Sequence, residues 1–465
     1  MEDTPVVQRF NDFLNAAIRV AEGINKMEPP ITIHYSNNVD SAVAATIFAN
    51  VFYSKSQPCH LRNFTKFKEL KEEIEVSETS AIIIGVGINE AKQIPEKEEP
   101  ILILPKQEEK ETEIGQNVFS AEPYGYGKEL ATLSSVAFFI ASSLVHDVTS
   151  ILIRPLVSAL ANHGAIKGLN EMILHDAIEA GVVEQKTGFK ILGSNYFSIA
   201  EAIYYSVLPV FPGLTGNKNA VEKMLIKAGV EIEDREGERA LEQLSENEMK
   251  KLVNAIVVET TGNKFLPETV MPIADIYISK IEPPGSILRY LHEYAQLLRD
   301  LEHEDQIHLA IPILLGDRDE IYYSIRSKTI ELRKQAIAAF NQIQARPEPE
   351  RLVHLSFSHS DSLPWQYAQA VSQIMVANGL VPSEEAIAII ARKQNQLAIG
   401  LTLPKPIRKT RDVKNLFREI QREPGLGLKI IQMPEGTICL FEKDIEKQVL
   451  EKIDKILEMW LKSEE

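Results

Sequence analysis

An α/β fold is what this chain predicts, with a parallel sheet in its N-terminal part, a helical middle region and a smaller α/β domain at the C-terminal end, the two α/β parts facing each other across a cleft. Three observations carry the expectation of fold class. Over the first 208 residues short apolar runs, bounded by polar or turn residues, alternate with helical stretches, the pattern of strands buried on both faces of a parallel sheet. From Pro209 the chain turns mainly helical, and Arg346-Pro347-Glu348-Pro349-Glu350 breaks the last of those helices, because proline is not tolerated in a helix interior. At 465 residues the chain exceeds what one core holds, so blocks 1–208, 209–345 and 346–465 are expected as separate domains.

In the first block, strands are expected at Ile31–Tyr35, Ala81–Val86 and Ile101–Leu104, with helices at Thr4–Met27, Asp40–Tyr53 and Leu130–Leu144. The second block opens on Pro209-Val210-Phe211-Pro212-Gly213-Leu214-Thr215-Gly216. It carries mixed-charge helices at Ile287–Glu304 and Asp319–Gln344, the latter a connecting helix. The third has a hairpin at Lys393-Gln394-Asn395 between two apolar strands and ends in an amphipathic helix from Asp444 to about Lys462.

Hydrophobic content of 44% and charged content of 25% are ordinary for a soluble globular protein. No apolar run approaches the length of a membrane span. The opening Met1-Glu2-Asp3-Thr4-Pro5 is acidic, so no secretory leader is expected. Cys59 and Cys439 lack metal-ligand spacing and read as reduced thiols of a cytoplasmic protein. A net charge of −16 opposes any general coating of nucleic acid, which leaves only local basic stretches for such a contact. One stands out: Lys405, Arg408, Lys409, Arg411, Lys414, Arg418 and Arg422 are balanced only by Asp412 and Glu419. A solvated helix face and a single-strand contact explain it about equally. Ser356, His359 and Asp361 lie too close in sequence to converge as a catalytic triad, and read as a polar loop.

The segment from Ile31 to Ala45 is a strand, a tight turn and the start of a small-residue helix. It resembles the first motif of the DHH phosphoesterases, roughly H-x-D-x-D-G-x-x-S. His34 is kept, whereas Ser36 and Asn38 stand at the aspartate positions and Val39 at the turn glycine. Three further landmarks follow in register. Gly85 stands where a strand should end in aspartate, Pro105-Lys106-Gln107 where the name-giving Asp-His-His should close a strand, and Asn162 where a Gly-Asp aspartate belongs. The stretches Gly168–Val183 and Tyr205–Asn217 are similar to archaeal RecJ-like proteins in spacing and residue type. Gly425-Leu426-Gly427-Leu428 replaces the G-G-G-H turn of the DHH-associated domain, so the resemblance runs nearly the whole chain.

What the resemblance implies is a DHH-type N-terminal domain and a DHH-associated-like C-terminal domain, with decayed chemistry. Two Mn²⁺ or Mg²⁺ ions held by carboxylates and imidazoles would activate water and stabilise the leaving oxygen. Ser36, Asn38, Gly85, Pro105, Lys106, Gln107 and Asn162 include no carboxylate, so an inactive pseudo-nuclease is expected, with no catalytic residue, metal or other cofactor. The resemblance is to the archaeal RecJ-like branch that associates with GINS, relatives of the eukaryotic cell-division-cycle protein forty-five. It implies a non-catalytic subunit of a replicative helicase assembly that binds the GINS complex and the MCM helicase, part of that contact falling in the block 209–345. Weak single-stranded DNA binding would then fall to His34, Lys405, Arg408, Lys409, Arg411, Lys414 and Arg418. Two other readings stay open: an active single-strand exonuclease or small-nucleotide phosphodiesterase with unrecognised metal ligands, and a regulator whose former cleft holds a nucleotide uncleaved.

Overall fold

The structure, a computed structural model, describes residues 4–106, 117–235, 237–262, 273–346, 348–382, 384–423, 425–433 and 436–464. Helix α1 (Thr4–Ile24) leads into β1 (Ile31–Ser36), α2 (Val39–Ser54), β2 (Cys59–Phe64), α3 (Phe67–Val76), β3 (Ala81–Ile84), the single turn α4 (Ile88–Ala91) and β4 (Ile101–Leu104). Next come α5 (Leu133–Ser142), α6 (Ile153–His163), α7 (Leu169–Glu179), β5 (Val183–Phe189), α8 (Ile199–Tyr204) and α9 (Lys218–Ala228). A short hairpin of β6 (Glu233–Asp234) and β7 (Gly237–Glu238) precedes α10 (Glu246–Gly262), β8 (Ile273–Ser279), α11 (Leu291–His303), α12 (Ala310–Leu314) and the long α13 (Glu320–Gln344). The remainder runs β9 (Glu350–Arg351), β10 (Leu355–Ser360), α14 (Ala368–Ala377), β11 (Ala386–Lys393), β12 (Gln396–Thr402), α15 (Val413–Gln421), β13 (Lys429–Met433), β14 (Gly436–Glu442) and α16 (Glu446–Glu464).

These elements form two compact units that do not follow chain order. One comprises residues 1–185, 277–283 and 288–325; the other comprises 186–276, 284–287 and 326–465. Among the described residues no helix is long and apolar enough to cross a membrane.

The first unit holds a four-stranded sheet in the order β2-β1-β3-β4, parallel throughout. β1, β3 and β4 are buried along their whole length, β3 and β4 as continuous apolar runs and β1 with Thr32, His34 and Ser36 among its buried residues. One face takes Leu70 and Ile74 of α3 against Ala81, Ile83, Ile101 and Ile103. α2 packs on β1 and against α5 and α6, and its run of buried alanines lets these helices approach closely. The expected strands and helices of this block recur within a few residues of their bounds. β2 was not anticipated: it alternates partly buried with exposed residues, as an edge strand does.

The second unit contains a mixed six-stranded sheet in the order β13-β14-β12-β11-β10-β9, where only β10 and β11 run parallel. Strand alternation divides its side chains. Ile387, Ile389 and Ala398 face Val371 and Ile374 of α14. Ala388, Ile390 and Ile399 face Phe417 of α15 and Ile453 and Trp460 of α16. Gly400 lets α14 settle directly on β12, since a Cβ there would lie 2.2 Å from the Gln369 nitrogen. The expected hairpin is the β11–β12 turn, with Gln394 at φ 54°.

Candidate functional site

The carboxyl ends of the first unit's strands bring the sequence-selected positions together. β1 ends at Ser36, and Asn38 then caps α2, its Oδ1 accepting the Ser41 backbone N–H at 2.9 Å. The Asn38 amide donates to Ser36 Oγ at 2.6 Å, and Ser36 Oγ lies 2.8 Å from Ser41 Oγ. β3 runs out into Gly85, whose φ is +85°, the left-handed region that favours glycine. A Cβ at Gly85 would lie 2.1 Å from Ser41 Oγ and 2.2 Å from Ser36 Oγ, so the space for a longer side chain is already taken. Backbone bonds from Gly85 N–H to Leu104 O and from Lys106 N–H to Val86 O, each 2.8 Å, set the β4 end alongside. Pro105 is buried there and Lys106 exposed, while Gln107 lies outside the described residues.

Among the described residues, the carboxylates of Asp40 and Glu302 border this cluster, and both already serve as acceptors. Asp40 Oδ2 accepts the Leu133 N–H at 2.7 Å, and its Oδ1 accepts the Ser134 N–H at 3.0 Å and both the Ser134 and Ser158 hydroxyls at 2.8 Å. This places a negative charge at the start of α5, where the helix dipole favours it. Asn162 joins through Ser158, donating to its carbonyl at 2.8 Å. Glu302 of α11 accepts the Val39 N–H at 3.2 Å, so an internal carboxylate sits on the first turn of α2.

His34 is 1% exposed, with Nδ1 4.0 Å from Glu73. Its place among the nucleic-acid candidates therefore meets a side chain with almost no surface to offer. Burial pushes the imidazole down to about 4, against an opposing pull from Glu73 and with a further push from Arg62. Burial likewise lowers His163, with Asp40 pulling it upward. Because His34's folded pKa lies below its ordinary value, the neutral form is the stabilising one. Its contribution is whole above pH 6.5 and lost as pH falls toward about 4. Denaturant unfolding across that window should show wild type losing on the order of 3 kcal/mol more than His34→Gln. Parallel losses would mean that His34 is not held neutral.

The basic candidates lie in the second unit, between β12 and the end of α15. α15 buries Leu416, Phe417 and Ile420 and leaves Arg418 exposed, with Arg422 exposed just beyond its end. Arg411 lies over the Trp460 ring at 5.4 Å, Arg408 Nε donates to Leu403 O at 3.2 Å, and Lys414 donates to Gln432. Lys405 and Lys409 are exposed. Among the described residues, the grouping of His, Asp and Glu close enough to share an ion is His175, Asp176 and Glu179. All three are exposed on α7, and none is a sequence-selected position.

No protein-family model and no curated protein matches the chain. Solved structures do. CDC45 from Entamoeba histolytica superposes with a TM-score of 0.56 at 10% identity, over 98% of this chain and 99% of that one. RecJ in complex with Mn²⁺ from Thermus thermophilus gives 0.50 at 11% identity, over 96% of this chain and 55% of that one. Exonuclease RecJ bound to manganese gives 0.50 at 11% identity, over 96% and 94%. The likeness is one of fold: a parallel N-terminal sheet and a mixed C-terminal sheet in the DHH and RecJ-like architecture. The residues here do not fit a manganese pair. Ser36, Asn38 and Ser41 bond one another, Gly85 has no side chain, and the Asp40 carboxylate carries four hydrogen bonds.

Proposed function

We propose that this chain is a non-catalytic RecJ-like subunit of an archaeal replicative helicase assembly, which binds GINS and supports the MCM helicase. The observation that carries this reading is the close packing of Gly85 on Ser36 and Ser41, within a fold alike to CDC45 over nearly the full length of both chains. A scaffold kept whole while serine hydroxyls fill the place of a carboxylate suits a protein that serves through its surfaces. Fold by itself does not assign function, so the chemistry of the packed site bears the weight.

The purified protein is accordingly expected to leave single-stranded DNA and RNA intact with Mn²⁺ or Mg²⁺. Manganese-dependent degradation that co-purifies with the protein and disappears in His34→Ala would overturn the inactive reading.

In this proposal a single strand is guided weakly by the exposed cations between Lys405 and Arg422. With about three phosphate contacts, affinity should fall roughly 20-fold between about 50 and 200 mM salt, because each contact releases counterions. Changing Lys405, Lys409 and Arg418 together to glutamate should abolish retention of a fluorescent oligonucleotide. Unchanged affinity would place the contact elsewhere.

A further inference from the structure

We propose that the β13 edge of the second unit's large sheet takes up an extended segment of another protein in which acidic and apolar residues alternate, a proposal independent of the helicase reading. β13 (Lys429–Met433) ends the strand order and pairs with β14 on one side, and among the described residues no other backbone hydrogen bond reaches it. In an antiparallel pair only alternate residues bond to the neighbour. The others turn their N–H and C=O groups outward, where a further strand can bond to them. Ile430 and Ile431, adjacent in this strand, are both only half-buried. The opposite edge of the sheet, β9, is two residues long and offers too short a ladder.

Helix α15 lies along β13 and supplies the charge. Lys414 donates to Gln432 near the end of the strand, and Gln421 donates to Leu428 O at 2.9 Å just before the strand begins. Arg418 stands four residues beyond Lys414, and Arg422 four beyond Arg418, so the three cations share one stripe of the helix. Arg418, Arg422 and Lys429 are exposed, and neither they nor Lys414 form an ion pair among the described residues. Glu423, beside Arg422, is held by Lys452 at 2.7 Å. Glu419 points about 100° around the helix from Arg418. In a chain of 66 acidic and 50 basic residues, four cations without a carboxylate partner beside an open strand edge favour an acidic guest.

Alternation along β13 sets the pattern of that guest. Ile430 packs toward the core under α15 and α16, whereas Ile431 and Met433 pack toward the core under α14. A strand laid beside β13 alternates in step with it. On the α15 side its residues meet Lys414, Arg418 and Arg422, which Asp or Glu would match; between them, apolar residues would extend the surface of Ile431. Lys429 adds a single cation at the start of the strand. A second copy of β13 would bring like charges together, the usual device against self-pairing of sheet edges. An oligonucleotide would meet the cations but has no ladder of N–H and C=O groups to pair with the strand.

The test is fluorescence anisotropy of the full-length protein with a labelled peptide of alternating Val and Glu, about eight residues long to match a strand. It should bind more tightly than about 100 µM at low salt, and about tenfold more tightly than a Val–Gln peptide or one with its Val and Glu residues in two blocks. Hydrogen exchange should slow at the β13 amides on binding. Arg418→Glu combined with Arg422→Glu should weaken the alternating peptide about tenfold or more, with the ligand-free melting temperature of wild type. Absence of binding at about 1 mM overturns the proposal. So does equal binding by the two-block peptide, which would make the surface a sink for charge alone, or exchange that slows elsewhere with β13 unchanged. A single-stranded oligonucleotide of the same charge that binds as tightly and slows the same amides would overturn the assigned class of partner.

Discussion

Gly85→Asp, which returns a carboxylate to the end of β3, is expected to destabilise the protein by about 2–4 kcal/mol and to yield no manganese-dependent nuclease. Two effects add. A left-handed backbone at φ +85° costs an L-residue roughly 1–2 kcal/mol. The new Cβ would also meet Ser41 Oγ at 2.1 Å and Ser36 Oγ at 2.2 Å, with Ser36 Cβ 3.2 Å away. The hydroxyls can swing aside only by giving up the Ser36–Ser41 and Asn38–Ser36 hydrogen bonds, each worth about 1 kcal/mol. Adding Ser36→Ala and Ser41→Ala should recover the steric share and leave the backbone share. Denaturant unfolding separates the two. A Gly85→Asp protein within about 0.5 kcal/mol of wild type would show that the site has room, and the packing account would fail.

How far such a site can be read from sequence depends on where its partners lie. β3 and β4 were legible because both faces of each are buried, which writes an unbroken apolar run, and β1 because Ile31, Ile33 and Tyr35 recur at every second position. β2 was not, because Cys59-His60-Leu61-Arg62-Asn63-Phe64 is only partly buried and mixes polar with apolar side chains, which gives no such run. Asn38 could be placed at a turn before a helix, and its cap on Ser41 follows from a spacing of three residues. The acceptor role of Asp40 could not, since its partners Ser134 and Ser158 are 94 and 118 residues away. Glu302, 263 residues from Val39, carries no local signal at all. His34 was visible as a surviving imidazole, but its neutral state comes from burial that outweighs the opposite pull of Glu73, 4.0 Å away and 39 residues on. Gly400 reads in sequence as a weak strand residue, and only the backbone of α14 against it shows why a side chain is refused.

A lasting partnership with GINS is the central claim, and its expected effect is large. A durable interface buries on the order of 1,600 Å², and a partner that binds only the folded chain raises its melting temperature as the partner's concentration rises. The most direct measurement is size-exclusion chromatography of the purified chain mixed with purified archaeal GINS at micromolar concentration. The account predicts a single earlier peak holding both components, together with a melting transition above that of either alone. Two unshifted peaks with unmoved melting curves would contradict it.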